Sequence, residues 1–479
     1  MEDLSYLTRN HEFMKAVDIK AEKLKRDEFK VQLRKSERIA IFERKRGKIN
    51  PENFLVLIEI PEVLGVKESL TNIEKLLLCR DFLSSRNISK YEVLKYLRKN
   101  LDLFKEDFIS LLVTTGFLEV LSRLLENYEN EECLRETSSI LCGITYGPHE
   151  YIKLMFEFDL VYRLFILISN ESLDIAANAI WALSNIMCDC KDYWNYIIDN
   201  KFLSNLSRFT GKLATINGMC KKCLIVGLKS ICTHAEDLFL EDFTTIYNIL
   251  KKVNKTGFDW QSLAVLANLV KQPNGVFLFI EYKFVSNLMQ CIEIEGECGY
   301  LALKVLTNMN LEQESVPRML LENGLIDRLE KNLLKNSAGF VKDTLWTIDC
   351  LLISSQYFMY NLINNKILTK VVLHLLNPNE KIRLESSFIL INCLELGNQT
   401  ATETFFQLGT VSLALQGLIF PDPTYLKNLL VSLQLLCKRL GPETLLQDPF
   451  YTQIFKLEFH VNTEIKELAS LLILQKPFF

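Results

Sequence analysis

The residues with the most chemistry to offer are Trp181, Asn185 and Asp189, spaced by four in the run Ala-Asn-Ala-Ile-Trp-Ala-Leu-Ser-Asn-Ile-Met-Cys-Asp. On an α-helix this spacing stacks three side chains along one face, with a drift of only about 40° per step. A Trp face attracts the stem and charge of a Lys or Arg. An Asn amide both donates to and accepts from a peptide backbone. A carboxylate receives an ammonium group. Together they can hold an extended basic peptide. The plainer reading is a half-buried helix with a packed Trp and a C-terminal Asp. Recurrence of the pattern along the chain favours the first.

The elements that would position these groups are helical. From about residue 68 apolar residues recur at helical spacing, broken by polar loops at Asn127-Tyr-Glu-Asn-Glu, Asn170-Glu-Ser, Asn377-Pro-Asn-Glu and Pro421-Asp-Pro. No strand alternation persists over a useful length. Positions equivalent to Asn185 fall at Gly143, Ser230, Asn268, Asn308, Cys350 and Asn392, at intervals of about 42 residues. Each lies near the end of an apolar-x-x-Leu-x-Asn-apolar run. A helical period near 42 is that of armadillo units, which stack into a right-handed superhelix with a concave groove. The expected fold is therefore an all-α armadillo-repeat solenoid of about nine to ten repeats over residues 68–479. A basic helical arm over residues 1–48 and a short connector over 49–67 precede it.

Composition agrees with a packed, repetitive, all-α body. The 479 residues are 49% hydrophobic with only 18 Gly and 11 Pro, too apolar for disorder and too poor in turn formers for an all-β protein. The N-terminus is polar, so no signal peptide is expected. No window holds about 18 uninterrupted apolar residues, so no membrane insertion is expected. An odd count of 13 Cys in such a chain reads as free, buried thiols. Charge is unevenly placed. Residues 20–48 hold 12 Lys/Arg against 5 Asp/Glu, and residues 1–19 hold 2 against 4, so residues 49–479 carry −9 of the total −4. An acidic body behind a basic arm argues against nucleic acid as the partner. Residues 22–46 form a Gly- and Pro-free, mostly polar stretch with sparse apolar Val31, Leu33, Ile39 and Phe42. Such a helix is stable chiefly when docked, and Gly47 ends it.

Three stretches resemble the importin-α (karyopherin-α) family. They are the arm Lys25-Arg-Asp-Glu-Phe-Lys-Val-Gln-Leu-Arg-Lys-Ser-Glu-Arg with Phe-Glu-Arg-Lys-Arg, the Trp181–Asp189 run, and Ile454-Phe-Lys-Leu-Glu-Phe-His-Val-Asn through Ile473. The resemblance implies a nuclear import adaptor that shuttles between cytoplasm and nucleus. It would bind basic nuclear localisation signals of cargo proteins on Trp and Asn ladders, and importin-β through the arm. The major site would keep Trp181, Asn185 and Asp189. The repeats on either side depart from the pattern, with Ser139 and Gly143 before and Val226 and Ser230 after. The minor site would use Asp343 and Trp346, with Cys350 in place of Asn, and Glu385 and Asn392, with Phe388 in place of Trp. Asn268 and Asn308 fill Asn positions between them. Lys25, Arg26, Arg34, Lys35 and Arg38 would meet importin-β. Arg44, Lys45 and Arg46 resemble a localisation signal held in cis beside the groove at high effective concentration. The last repeat resembles the region where the family's exportin binds. A missing Trp removes a cation–π slot of about 0.5–2 kcal/mol, and a missing Asn a hydrogen bond of about 0.5–1.5 kcal/mol. The alternative reading is a general armadillo scaffold for other partners, favoured by those missing rungs.

Nothing points to an enzyme, a cofactor or a metal. Cys220-Lys-Lys-Cys223 is a single C-x-x-C, with Cys232 and His234 nearby, whereas zinc modules usually pair such units. Cys188 and Cys190 would face different ways on a helix. The five His (His11, His149, His234, His374, His460) are scattered, and no phosphate-binding Gly motif is present.

Overall fold

A computed structural model describes residues 61–65, 70–85, 90–126, 130–213, 218–255, 257–309, 311, 314–446 and 448–474. The basic arm, with Lys25, Arg26, Arg34, Lys35, Arg38, Arg44, Lys45 and Arg46, lies outside them. The chain divides into two compact units, one ending at Ser230 and the other beginning at Ile231. Among the described residues all regular structure is helical.

Each unit is an α-solenoid stack in which, in most repeats, two helices precede a third and third helices pack on one another; Lys90–Thr114 runs on to serve also as the first helix of the next repeat, and the short 3-10 helix Cys232–Asp237 replaces a first helix. In the first unit the third helices are α1 (Lys90–Thr114), α2 (Glu131–Ile144), α3 (Leu173–Met187) and α4 (Gly218–Ile231), the last reaching the unit boundary. In the second they are α5 (Trp260–Leu269), α6 (Glu297–Asn308), α7 (Ala338–Ser354), α8 (Glu380–Leu396), α9 (Pro423–Leu440) and α10 (Thr463–Leu474). Gly143, Asn185, Ser230, Asn268, Asn308, Cys350 and Asn392 all fall on third helices, near their C-terminal ends.

The polar loops act as helix starts. Asn130 accepts from Cys133 N at α2, Asp259 from Ser262 N at α5, and Asp422 from Tyr425 N at α9, where Pro423 fills the first helical position. Each cap satisfies a donor that the helix leaves open and is worth about 1 kcal/mol. The interiors are apolar on more than one side. In α3, Ile175, Ala176, Ala177, Ala179, Ile180, Ala182, Leu183 and Ile186 are all buried, because the helix packs on its own repeat and on the one before. The small Ala residues let the helices approach closely.

A second periodic feature sets the turn between the first and second helices of a repeat. Gly116, Asp159 and Lys201 in the first unit, and Lys283, Gly324 and Gly409 in the second, take left-handed φ between 55° and 82°. For a residue with a Cβ that conformation is strained by about 1–2 kcal/mol. Glycine adopts it freely but loses about 0.5–1 kcal/mol more entropy on folding. Lys201→Gly is therefore expected to raise stability by about 0.5–1 kcal/mol in urea unfolding. An unchanged midpoint would show that the fold carries no strain there.

The thiols are all free. Eight are buried, Cys133, Cys142, Cys190 and Cys298 partly so, and Cys188 is exposed, so the expectation of uniformly buried thiols is corrected. Cys220 and Cys223 sit in the core of the first unit, and burial pushes the Cys223 thiol up to about 12. Cys188 caps α3 and Cys190 takes an extended conformation before the helix Lys191–Asp199, so they do not share a helix. No single described helix is long and apolar enough to cross a membrane. Only the bent pair Asp107–Thr114 and Phe117–Glu126, meeting at 79°, passes on length and composition together.

Candidate functional site

Trp181 and Asn185 share one half-buried face of α3. The preceding repeat contributes two residues that sequence reasoning missed. Asn185 Nδ2 donates to Thr145 Oγ1 at 2.9 Å. The Tyr146 hydroxyl, on a residue that is 56% exposed, lies near enough to Asn185 and the Trp181 indole for both to favour its charged form. Burial raises this phenol above its usual range, with the Cys142 charge adding to it and those two side chains opposing. The signal was local. Thr145 and Tyr146 directly follow Gly143, where the rung was expected.

Gly143 has a packing reason. A Cβ there would collide with Leu101 Cδ2 of α1, with Leu101 Cγ only 3.1 Å away. An Asn at that place would require Leu101 to shift within the contact between α1 and α2. In the following repeat, Ser230 is buried at the end of α4, bonds Val226 O at 3.0 Å and accepts from Cys188 Sγ at 3.3 Å.

Asp189 lies beyond the end of α3 and pairs with His149 Nδ1, from the first residue of the helix His149–Glu157. Its side chain is 20% exposed, although the residue as a whole, with its backbone, is open to solvent. The His149 ring stacks on Tyr193, with centroids 5.4 Å apart. The structure thus brings Trp181 and Asn185 together and gives Asp189 an imidazole partner from the repeat before.

In the second unit, α7 and α8 are joined by Asn392 Nδ2 donating to Asp349 Oδ1 at 2.8 Å. Asp349 is 4% exposed, and burial raises its carboxyl to about 7, opposed by the Asn392 bond. It was not singled out from sequence, although it stands 43 residues before Asn392. Asp343 pairs with Lys342 at 2.6 Å, and Trp346 is half-buried. Cys350 and Glu385 are buried, while Phe388 and Asn392 are half-buried. Asn268 is half-buried on α5. Asn308 is nearly enclosed and donates to Ala267 O at 2.7 Å.

No family model and no curated protein matches the chain. Among solved structures, an engineered protein from the Northeast Structural Genomics Consortium is similar. The match covers 85% of this chain and 99% of that one, with a TM-score of 0.68 and 18% identity. The class shown is an α-solenoid.

Proposed function

We propose that the chain is an armadillo-type, right-handed solenoid and a nuclear import adaptor, shuttling between cytoplasm and nucleus. In this reading the Trp181/Asn185 face of α3 holds basic signal peptides of cargo, and the α7–α8 face, with Asp343, Trp346, Glu385, Phe388 and Asn392, is the second site. The arm around Lys25–Arg38 engages importin-β, Arg44-Lys-Arg46 competes for the same face, and an exportin binds the last repeat. The observation that carries it is the half-buried indole and carboxamide one turn apart on the same face of α3. An indole slot and one amide together supply about 1–3 kcal/mol. Calorimetry with a Lys-rich peptide tests this on the chain lacking residues 1–50. Affinity should rise on arm deletion and fall at least tenfold with Trp181→Ala plus Asp189→Lys. If neither change moves it, the adaptor reading is wrong.

A second reading, a general armadillo scaffold for non-basic partners, is favoured by one set of observations. The amides of Asn185, Asn308 and Asn392 each donate to the preceding repeat, and Asp189 already has His149. It expects the same double variant to retain its partners, none of them importin-β.

A further inference from the structure

Asp189 and Cys190 lie in the short link between α3 and the helix Lys191–Asp199. Stacking of consecutive repeats brings His149 against them from 40 residues earlier. His149 Nδ1, a carboxylate oxygen of Asp189 and Cys190 Sγ all lie within 4.8 Å of one another. An imidazole nitrogen, a carboxylate and a thiolate are the donor set that Zn2+ takes. The edges of a tetrahedral site with such ligands are roughly 3.3–3.8 Å, given metal–ligand bonds of about 2.0–2.3 Å. His149 is exposed and Cys190 partly so, so the three donors face solvent rather than a packed core.

The surroundings favour a cation. The His149 ring is held by stacking on Tyr193, which stacks in turn on Phe156 with centroids 4.6 Å apart. Asp192, an exposed residue two positions beyond Cys190, adds a further carboxylate to this stretch of chain. Lys191, the nearest cation in sequence, has its ammonium 4.1 Å from the centre of the Trp194 ring. The second gathering of similar groups, His234 with Glu236 and Asp237, comes from a single turn and has no thiol.

We propose that His149, Asp189 and Cys190 form a surface site for a thiophilic divalent cation of the Zn2+ type, with solvent in the fourth position. Binding takes the imidazole with Nδ1 unprotonated and releases the Cys190 thiol proton to solvent, so affinity rises with pH. The site stands independently of peptide binding on α3. Its occupation would withdraw the Asp189 carboxylate from any lysine.

The test uses the full chain titrated with Co2+ and then Zn2+. One equivalent of Co2+ should give a thiolate-to-metal charge-transfer band that Zn2+ abolishes. Cys190→Ser should remove the band. His149→Ala and Asp189→Asn should each weaken Zn2+ binding at least tenfold, with far-ultraviolet circular dichroism unchanged. Cys188→Ser and His234→Ala should leave binding as it was. A band that survives Cys190→Ser, one that is lost with Cys188→Ser instead, or a Zn2+ affinity indifferent to His149→Ala would overturn the proposal.

Discussion

Asp349→Asn is expected to stabilise the second unit by about 2 kcal/mol at pH 8 and to flatten its pH dependence. The carboxyl is nearly enclosed between α7 and α8, and burial holds it at about 7 against an ordinary value near 3.9. The native state therefore binds more protons than the unfolded chain between those two values. Stability is fully present below about pH 4 and falls as pH rises through the window to about 7. At about 1.4 kcal/mol per pH unit, the whole loss is on the order of 4 kcal/mol. An Asn at 349 keeps an oxygen to accept from Asn392 but buries an extra amide, which costs about 1–3 kcal/mol. The net gain at pH 8 is smaller than the full loss for that reason. Urea unfolding of both proteins at pH 5 and pH 8 checks this. The wild type should lose stability between the two and the variant should not; parallel curves would show that Asp349 does not titrate in that range.

Gly143→Asn, the change that restores the expected rung by sequence, should destabilise the first unit by about 1–3 kcal/mol and leave basic-peptide affinity no higher. The new Cβ meets Leu101, a buried side chain on α1 with little room to move. Overfilling a packed interface forces rotamers or backbone to shift, with a penalty in that range. Thermal unfolding and calorimetry on the same samples separate the two effects. A variant that is as stable as wild type and binds tighter would mean that the glycine is a lost function rather than a packing requirement.

The helices and their period could be read from the chain because both are local. Apolar spacing, polar caps such as Asn130 and Asp422, and the recurrence of an apolar run ending in Asn at Asn185, Asn268, Asn308 and Asn392 are all written in short windows. What could not be read depends on the neighbouring repeat. Gly143 looks like a missing Asn until Leu101 is seen beside it. Asp189 looks like an open carboxylate until His149 arrives from 40 residues away. Asp349 is one more polar residue on a helix until the stack encloses it. The left-handed turns escaped for a different reason. Half of them are Asp or Lys rather than Gly, so residue type did not report the backbone.

Among the described residues, the asparagine amides that bridge repeats donate toward the N-terminal neighbour, whereas Gln434 donates forward to Leu468 O. Asn178 and Asn185 donate to Ser138 and Thr145 in the first unit, and Asn308, Asn392 and Asn428 to Ala267, Asp349 and Ser387 in the second. Each gives its N–H toward the N-terminal neighbour, and amide planarity then directs the oxygen away from it. At the rung positions this holds for Asn185, Asn308 and Asn392, each of which ties its helix to the preceding repeat. In the adaptor reading proposed above, a peptide crossing any of these three rungs would meet an amide oxygen turned away from the N-terminal neighbour, which would favour one N-to-C direction.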